Sequence, residues 1–217
     1  GEYCSFGNAG ILSPGSCAPQ AMPGVLGKVP GYLSDPLGPL AIRPGHFFKA
    51  LPWFLRLVAA SRLSRVEQIA DVLRPLLKQT FDAYAPLLKD AGVEHLFHRT
   101  GQLFVYQSKN GIEKDALGVE LRRASGVRVE VLNQDEIRQL EPALARGLAG
   151  GYFYPDVSHC VNPLALSQHL AAEIAVAGGT IQRARVEQIT VDGEGRPLFA
   201  TEGGEVAFDR AVLAAGV

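Results

Sequence analysis

Three tyrosines, one loop histidine and two runs of small residues are the parts of this chain whose types and placing can do chemistry. Tyr106, Tyr152 and Tyr154 lie in two short β-rich stretches, Gly101 to Tyr106 and Gly150 to Tyr154. A strand tyrosine offers an apolar ring and a polar tip, so it fills a core or touches a substrate, and the core is the commoner use. His159 falls in Asp156-Val157-Ser158-His159, just ahead of a strong helix start. A loop imidazole there can relay a proton near neutral pH, and a solvated or capping histidine is the plainer alternative. His46, His95, His98 and His169 are spread without metal-ligand spacing, and Arg43 in Ile42-Arg43-Pro44 either steers an anion or pairs on the surface. No convincing nucleophile–base–acid set and no carboxylate pair stand out. The small-residue runs are Asn8-Ala9-Gly10, in a turn, and Ala214-Ala215-Gly216, where an apolar strand breaks off. Such runs let backbone approach a ligand closely, and strand ends are where open α/β sheets bind one.

The elements that must hold these residues follow from pattern. Residues 1 to 45 are rich in glycine and proline, including Pro14, Pro19, Pro23, Pro30 and Pro36, so regular structure is expected to be sparse there. Phe47 to Ser61 repeats apolar residues at helical spacing, and Arg65 to Ala91 carries a second stripe that Pro75 and Pro86 should kink or split. Strands are predicted over Gly101 to Tyr106, Val127 to Leu132 and Gly150 to Tyr154, with a helix over Glu113 to Ala124. Asn133-Gln134-Asp135-Glu136 reads as a capping box. Asn162-Pro163 opens another helix, with Leu166, Leu170, Ala171 and Ile174 as its stripe. A strand over Thr180 to Arg185, a meander turning at Asp192-Gly193 and Gly203-Gly204, and a last strand into Ala214 complete the series. That closing order suits half of a dinucleotide-binding fold, yet Gly-x-Gly-x-x-Gly occurs nowhere.

Size and charge exclude several classes. The 217 residues suffice for one large domain or two small ones, with 47% apolar residues for a core. With 21 basic and 22 acidic residues there is no basic excess to attract nucleic acid. Cys4, Cys17 and Cys160 have neither disulfide nor zinc spacing, which fits a reducing compartment. No apolar run is long enough to span a bilayer.

An ordered series of short motifs then narrows the reading. Ser5-Phe6-Gly7-Asn8-Ala9-Gly10, Ser13-Pro14-Gly15, Pro23-Gly24-Val25 and Pro39-Leu40-Ala41-Ile42-Arg43-Pro44 are followed by Trp53-Phe54-Leu55-Arg56. Further on come Thr100-Gly101-Gln102-Leu103, Leu140-Glu141-Pro142, Gly150-Gly151-Tyr152-Phe153-Tyr154-Pro155-Asp156, Val161-Asn162-Pro163 and Val212-Leu213-Ala214-Ala215-Gly216. Over the whole chain this series resembles the middle of an FAD-dependent D-amino acid dehydrogenase, within the D-amino acid oxidase group of flavoproteins. The resemblance implies an α+β fold: an antiparallel-sheet substrate domain with flanking helices, plus a partial FAD-binding α/β domain. It divides the chain into a flavin-proximal loop segment (1–45), a substrate domain (46–155) and part of the FAD-binding domain (156–217). It places Asn8, Ala9 and Gly10 beside the flavin, Val186 at the adenine edge, and Ala214, Ala215 and Gly216 near the cofactor's phosphates and ribityl chain. Tyr106, Tyr152, Tyr154 and His159 become substrate-side candidates.

The implied reaction is hydride transfer from a D-amino acid to flavin, giving an imino acid that water hydrolyses. Flavin does that redox chemistry while protein supplies placement. Electrons would pass to a membrane quinone chain, from a cytoplasmic protein lying peripherally on the bacterial inner membrane. The segment Phe47 to Leu57 pairs a wide apolar face with Lys49 and Arg56, so it can face a core or lie in a lipid interface, the core being favoured. Two alternatives stand beside this reading: a flavin-dependent oxidoreductase of secondary or tertiary amines such as sarcosine or glycine, and a non-catalytic substrate-recognition domain. The resemblance puts the amino-terminal phosphate-binding turn and a carboxy-terminal part outside these residues. The chain alone is therefore expected to be inactive, to bind FAD weakly, and to self-associate through unpaired strand edges.

Overall fold

The computed structural model describes residues 5–35, 37, 38, 40 and 43–214. Two compact units are present, Gly1–Leu170 and Ala171–Val217.

The first unit is built on two small antiparallel sheets. Strands β1 (Ile11–Leu12), β2 (Phe97–His98), β3 (Gln102–Tyr106), β4 (Glu130–Leu132), β5 (Gly150–Tyr154) and β6 (Ser158–Cys160) pair in the orders β1-β6-β2 and β3-β5-β4. Its helices are α1 (Val25–Ser34), α2 (Phe47–Ala60), α3 (Leu63–Lys78), α4 (Thr80–Asp90), α5 (Lys109–Ala124) and α6 (Gln134–Leu140). A seventh, α7 (Pro163–Val176), follows. Mixed helix and antiparallel sheet is the architecture expected from the sequence.

Local chemistry explains most boundaries. Helix α5 begins four residues before the predicted Glu113, because Ser108 caps it by accepting a hydrogen bond from the Gly111 amide. Helix α6 carries the complete capping box: Asn133 accepts from the Asp135 and Glu136 amides, and Glu136 accepts from the Asn133 amide. Helix α7 is capped by Asn162, whose Oδ1 accepts from the Ala165 amide at 3.0 Å.

Several expectations are corrected. The proline-rich start holds helix α1, with Pro30 inside it. The long stripe does not break at Pro75 or Pro86, both of which lie inside helices. It breaks at Gln79, whose amide donates to Leu76 and Leu77 while the Thr80 hydroxyl donates to Leu77. Those local partners close the helix end, so the prolines need not. The strand predicted from Val127 is paired only over Glu130–Leu132.

Two hydrophobic clusters stabilise the first unit. One joins Cys17, Ala70, Val119, Val127, Tyr152, Tyr154 and Val157, so the β3-β5-β4 sheet packs under α3 and α5. The other joins Leu88, Val93, Leu96, Cys160 and Leu166, between α4, the small β1-β6-β2 sheet and α7. Helix α2 belongs to neither: it has no buried residue, and Phe48, Trp53 and Leu55 are exposed, which corrects the core-facing reading.

The second unit is a meander. Strands β7 (Val186–Val191), β8 (Pro197–Thr201) and β9 (Gly204–Ala207) pair antiparallel in that order. Asp192 Oδ1 accepts from the Glu194 and Arg196 amides and sets the first turn. Residues 180–185 form no strand, because the ladder to β8 starts at Val186, opposite Thr201. Residues 209–214 form none either; no described strand pairs with them, and a strand is held only by its neighbours.

Candidate functional site

The β1-β6-β2 sheet gathers the Asn8–Gly10 turn and the histidine into one place. Antiparallel register sets Ile11 opposite His159 and His159 opposite His98. Residues directly opposite share a face, so Ile11, His159 and His98 form one row across the sheet. The other face, with Leu12, Phe97 and Cys160, goes into the second cluster. The His98 and His159 rings stack with centroids 5.6 Å apart, and Thr100 Oγ1 lies 3.4 Å from His159 Nδ1. Ser158, buried behind them, donates its hydroxyl to the His98 carbonyl at 2.9 Å and ties β6 to β2. His98 was not singled out as a site residue by the sequence. Its partnership with His159 depends on pairing between residues 61 apart in the chain, which no local pattern displays.

The loop feeding this sheet is shaped by its small residues. Asn8 Oδ1 accepts from the Gly10 amide at 2.6 Å, folding residues 8 to 10 into a tight turn. Gly10 adopts φ +60°, and its carbonyl accepts from the Cys160 amide at 2.8 Å. A Cβ at Gly10 would stand 2.2 Å from the Cys160 carbonyl oxygen, so only glycine fits. Asn8 and Ala9 are exposed on the turn. Small exposed backbone beside a histidine row fits a flat cofactor ring that needs close main-chain approach. The pattern thus brings Asn8, Ala9, Gly10 and His159 together.

The three tyrosines are placed differently. Tyr152 and Tyr154 are each 6% exposed, within the cluster beneath α3 and α5. Tyr106 packs edge-on against Tyr152 at 5.6 Å, and its hydroxyl donates to Asp115 Oδ2 on α5. Arg122, also on α5, lies 5.8 Å from the Tyr154 ring centroid. Burial, and then the Asp115 carboxylate, push the Tyr106 hydroxyl well above the ordinary tyrosine range. Burial pushes Tyr154 up as well, with Arg122 pulling against it. For Tyr152 or Tyr154 to touch a substrate, the helix layer would have to open.

The remaining candidates lie elsewhere. Val186 opens β7 in the second unit and is exposed, rather than a buried strand valine; Ala214 is exposed beyond β9. Ala215 and Gly216 lie outside the described residues, as does Cys4. Among the described residues no cluster of three histidine, cysteine or acidic side chains could hold a metal ion.

Comparison with known proteins places this geometry in context. A family model described as FAD dependent oxidoreductase matches residues 1–217. The chain is 41% identical over 216 residues to a D-amino-acid oxidase of Bradyrhizobium diazoefficiens, covering 99% of this chain and 51% of that protein. It is 27% identical to a D-amino acid dehydrogenase of Vibrio vulnificus, covering 99% of this chain and 52% of that one. The chain thus spans about half the length of the curated relatives it matches. Among solved structures, glycine oxidase from Geobacillus kaustophilus superposes with a TM-score of 0.58 at 24% identity, covering 66% of this chain and 40% of that one. At that identity the likeness speaks for the fold alone.

Two measurements probe this geometry. Gly10→Ala should cost about 2–4 kcal/mol in urea denaturation, through positive φ plus the collision with Cys160. Gly7→Ala, at φ +68° with open space around it, should cost only about 1–2 kcal/mol. Equal losses would show that the close approach does not exist. For Tyr106, the raised value means that the folded form keeps a proton the unfolded form releases. Stability is therefore intact below about pH 10 and falls as pH rises beyond it. Tyr106→Phe should make the alkaline decline in urea midpoint shallower; an unchanged decline counts against the burial described.

Proposed function

This chain belongs to the FAD dependent oxidoreductase family, and from that premise we propose that the whole protein is an FAD-dependent oxidoreductase of D-amino acids. The observation that carries the proposal is 41% identity with a D-amino-acid oxidase across 99% of the chain. Bound flavin would supply the electron-accepting chemistry when the α-carbon gives up a hydride. The imino acid so formed takes up water and releases ammonia, leaving a 2-oxo acid.

In this reading the residues of the chain divide by task. Residues 1–45 carry the flavin-proximal turn, 46–155 the substrate-side sheet, and 156–217 part of the FAD-binding domain. Asn8, Ala9 and Gly10 give the flavin a close backbone contact, with Val186 and Ala214 to Gly216 as further cofactor contacts. His159, backed by Thr100 and His98, is the foremost substrate-side residue, where its ring nitrogens can hold or pass a proton. Tyr106, Tyr152 and Tyr154, in the sheet that α3 and α5 cover, are the further substrate-side candidates.

The same reading places the protein in the bacterial cytoplasm, peripheral on the inner membrane, with electrons leaving to a quinone chain. Support comes from α2, whose Phe48, Trp53 and Leu55 are exposed beside the exposed cations Lys49 and Arg56. No described helix is long and apolar enough to cross a membrane.

D-Amino acids should bleach the flavin absorbance of the natural-length protein anaerobically, faster than sarcosine or glycine does. Preference for the amines would move the assignment to an amine oxidoreductase, and no bleaching by either class would end it. His159→Ala should lower kcat/KM by about tenfold, the worth of one good polar contact. For the membrane proposal, the same protein should sediment with anionic vesicles, and Phe48→Ser/Trp53→Ser should abolish this. Failure of the unmodified protein to sediment removes α2 as a lipid contact.

A further inference from the structure

A cavity in the first unit is lined by an excess of cations that the flavin reading does not use. It has a volume of about 450 Å³ and opens among Pro14, Gly15, Phe81, Val127 and Pro155. Its charged lining is Arg74 and Lys78 of α3, Arg99 ahead of β3, Arg128 ahead of β4, and Asp156 after β5. Four cations thus face one carboxylate.

Two of the four are anchored by the protein itself. Arg74 donates to the Pro14 carbonyl at 2.7 Å, to Ser125 at 3.0 Å and to Gly126 at 3.2 Å. Those neutral carbonyls hold the guanidinium in place and leave its charge uncompensated. Arg128 grips Asp156 with two hydrogen bonds, its Nε at 2.9 Å from Oδ2 and its Nη2 on Oδ1. The carboxylate is held below its ordinary range, by the Arg128 bond first, with Arg74 and Arg99 adding to it. Arg74 and Arg99 therefore act on the same small volume as Arg128.

The other two cations are unspent. The Arg99 guanidinium sits over the Phe81 ring, 4.4 Å from its centroid, and donates no hydrogen bond among the described residues. The cation–ring contact holds the guanidinium at the cavity while its donors remain open to a ligand. Lys78, exposed at the end of α3, has no hydrogen bond or ion pair among the described residues. Holding four like charges around one cavity is unfavourable until an anion offsets them, and fixed guanidinium forks match the geometry of oxyanions.

We propose that this cavity is a binding site for a small, doubly charged oxyanion of the phosphate or dicarboxylate class, held by Arg74, Lys78 and Arg99. The Arg128–Asp156 pair forms its fixed wall. Two negative charges match the charge left after Asp156 neutralises Arg128 better than one does. The assignment needs no bound flavin.

Calorimetric titration of the natural-length protein with inorganic phosphate, and separately with succinate, tests it at constant ionic strength set by sodium chloride. At least one of the two should bind, and raise the melting temperature as it saturates. Lys78→Gln/Arg99→Gln should weaken that binding by at least about tenfold. Both residues are exposed, so the variant should fold, and Lys89→Gln, an exposed cation on α4 outside the cavity, should leave binding unchanged. Which anion binds names the head-group chemistry. Absence of binding by both, protection no better than chloride gives, or full binding by the double variant would each overturn the site.

Discussion

One stretch of backbone, residues 150 to 160, holds the first unit together. Its first half is β5, the middle strand between β3 and β4, and its second half is β6, the middle strand between β1 and β2. Between them the Gly101 amide donates to the Val157 carbonyl at 3.0 Å, a backbone bond that links the two sheets. A middle strand has its hydrogen-bonding groups satisfied on both sides, and the flanking strands each lean on it. The glycines of this ladder are dictated by close neighbours: a Cβ at Gly151 would stand 2.5 Å from the Phe104 carbonyl oxygen.

The ladder also sets where polar chemistry can stand. β5 turns Tyr152 and Tyr154 toward the helices, and burial of that kind requires partners for the hydroxyls and charges beside them. Asp115 and Arg122, both on α5, provide polar neighbours for that wall. No described buried side-chain polar atom is left without a hydrogen bond. β6, a few residues on, is too short to be covered in the same way, and its His159 stays partly open in a row with Ile11 and His98. One segment thus yields a closed wall and an open row.

Much of this was legible in the sequence because it rests on local rules. Helix α2, the capping box at Asn133, the cap at Asn162 and strands β3 and β5 follow from side-chain spacing and short-range hydrogen bonding. The failures are those in which a distant partner decides. Thr180 to Arg185 has strand composition but no neighbouring strand among the described residues, and the apolar stripe of α2 buries no residue among them. The break at Gln79 was hidden by the stronger local signal of two prolines. At the candidate site, Asn8 to Gly10 and His159 could be named from their motifs. His98 could not, since its role appears only when β2 meets β6. The cationic cavity was invisible for the same reason: its three arginines come from three separate places in a chain whose net charge is close to neutral.

The register that places Ile11 beside His159 also has a bearing on synthesis. Contacts between residues so far apart carry a large loop-closure cost and form late. Before β6 has been synthesised, the Asn8–Gly10 turn has no strand to join, and its apolar neighbours Ile11 and Leu12 lack their ladder partner. The segment becomes a template-matched edge only once Cys160 has emerged from the exit tunnel. Until then that edge is open to pairing with another strand.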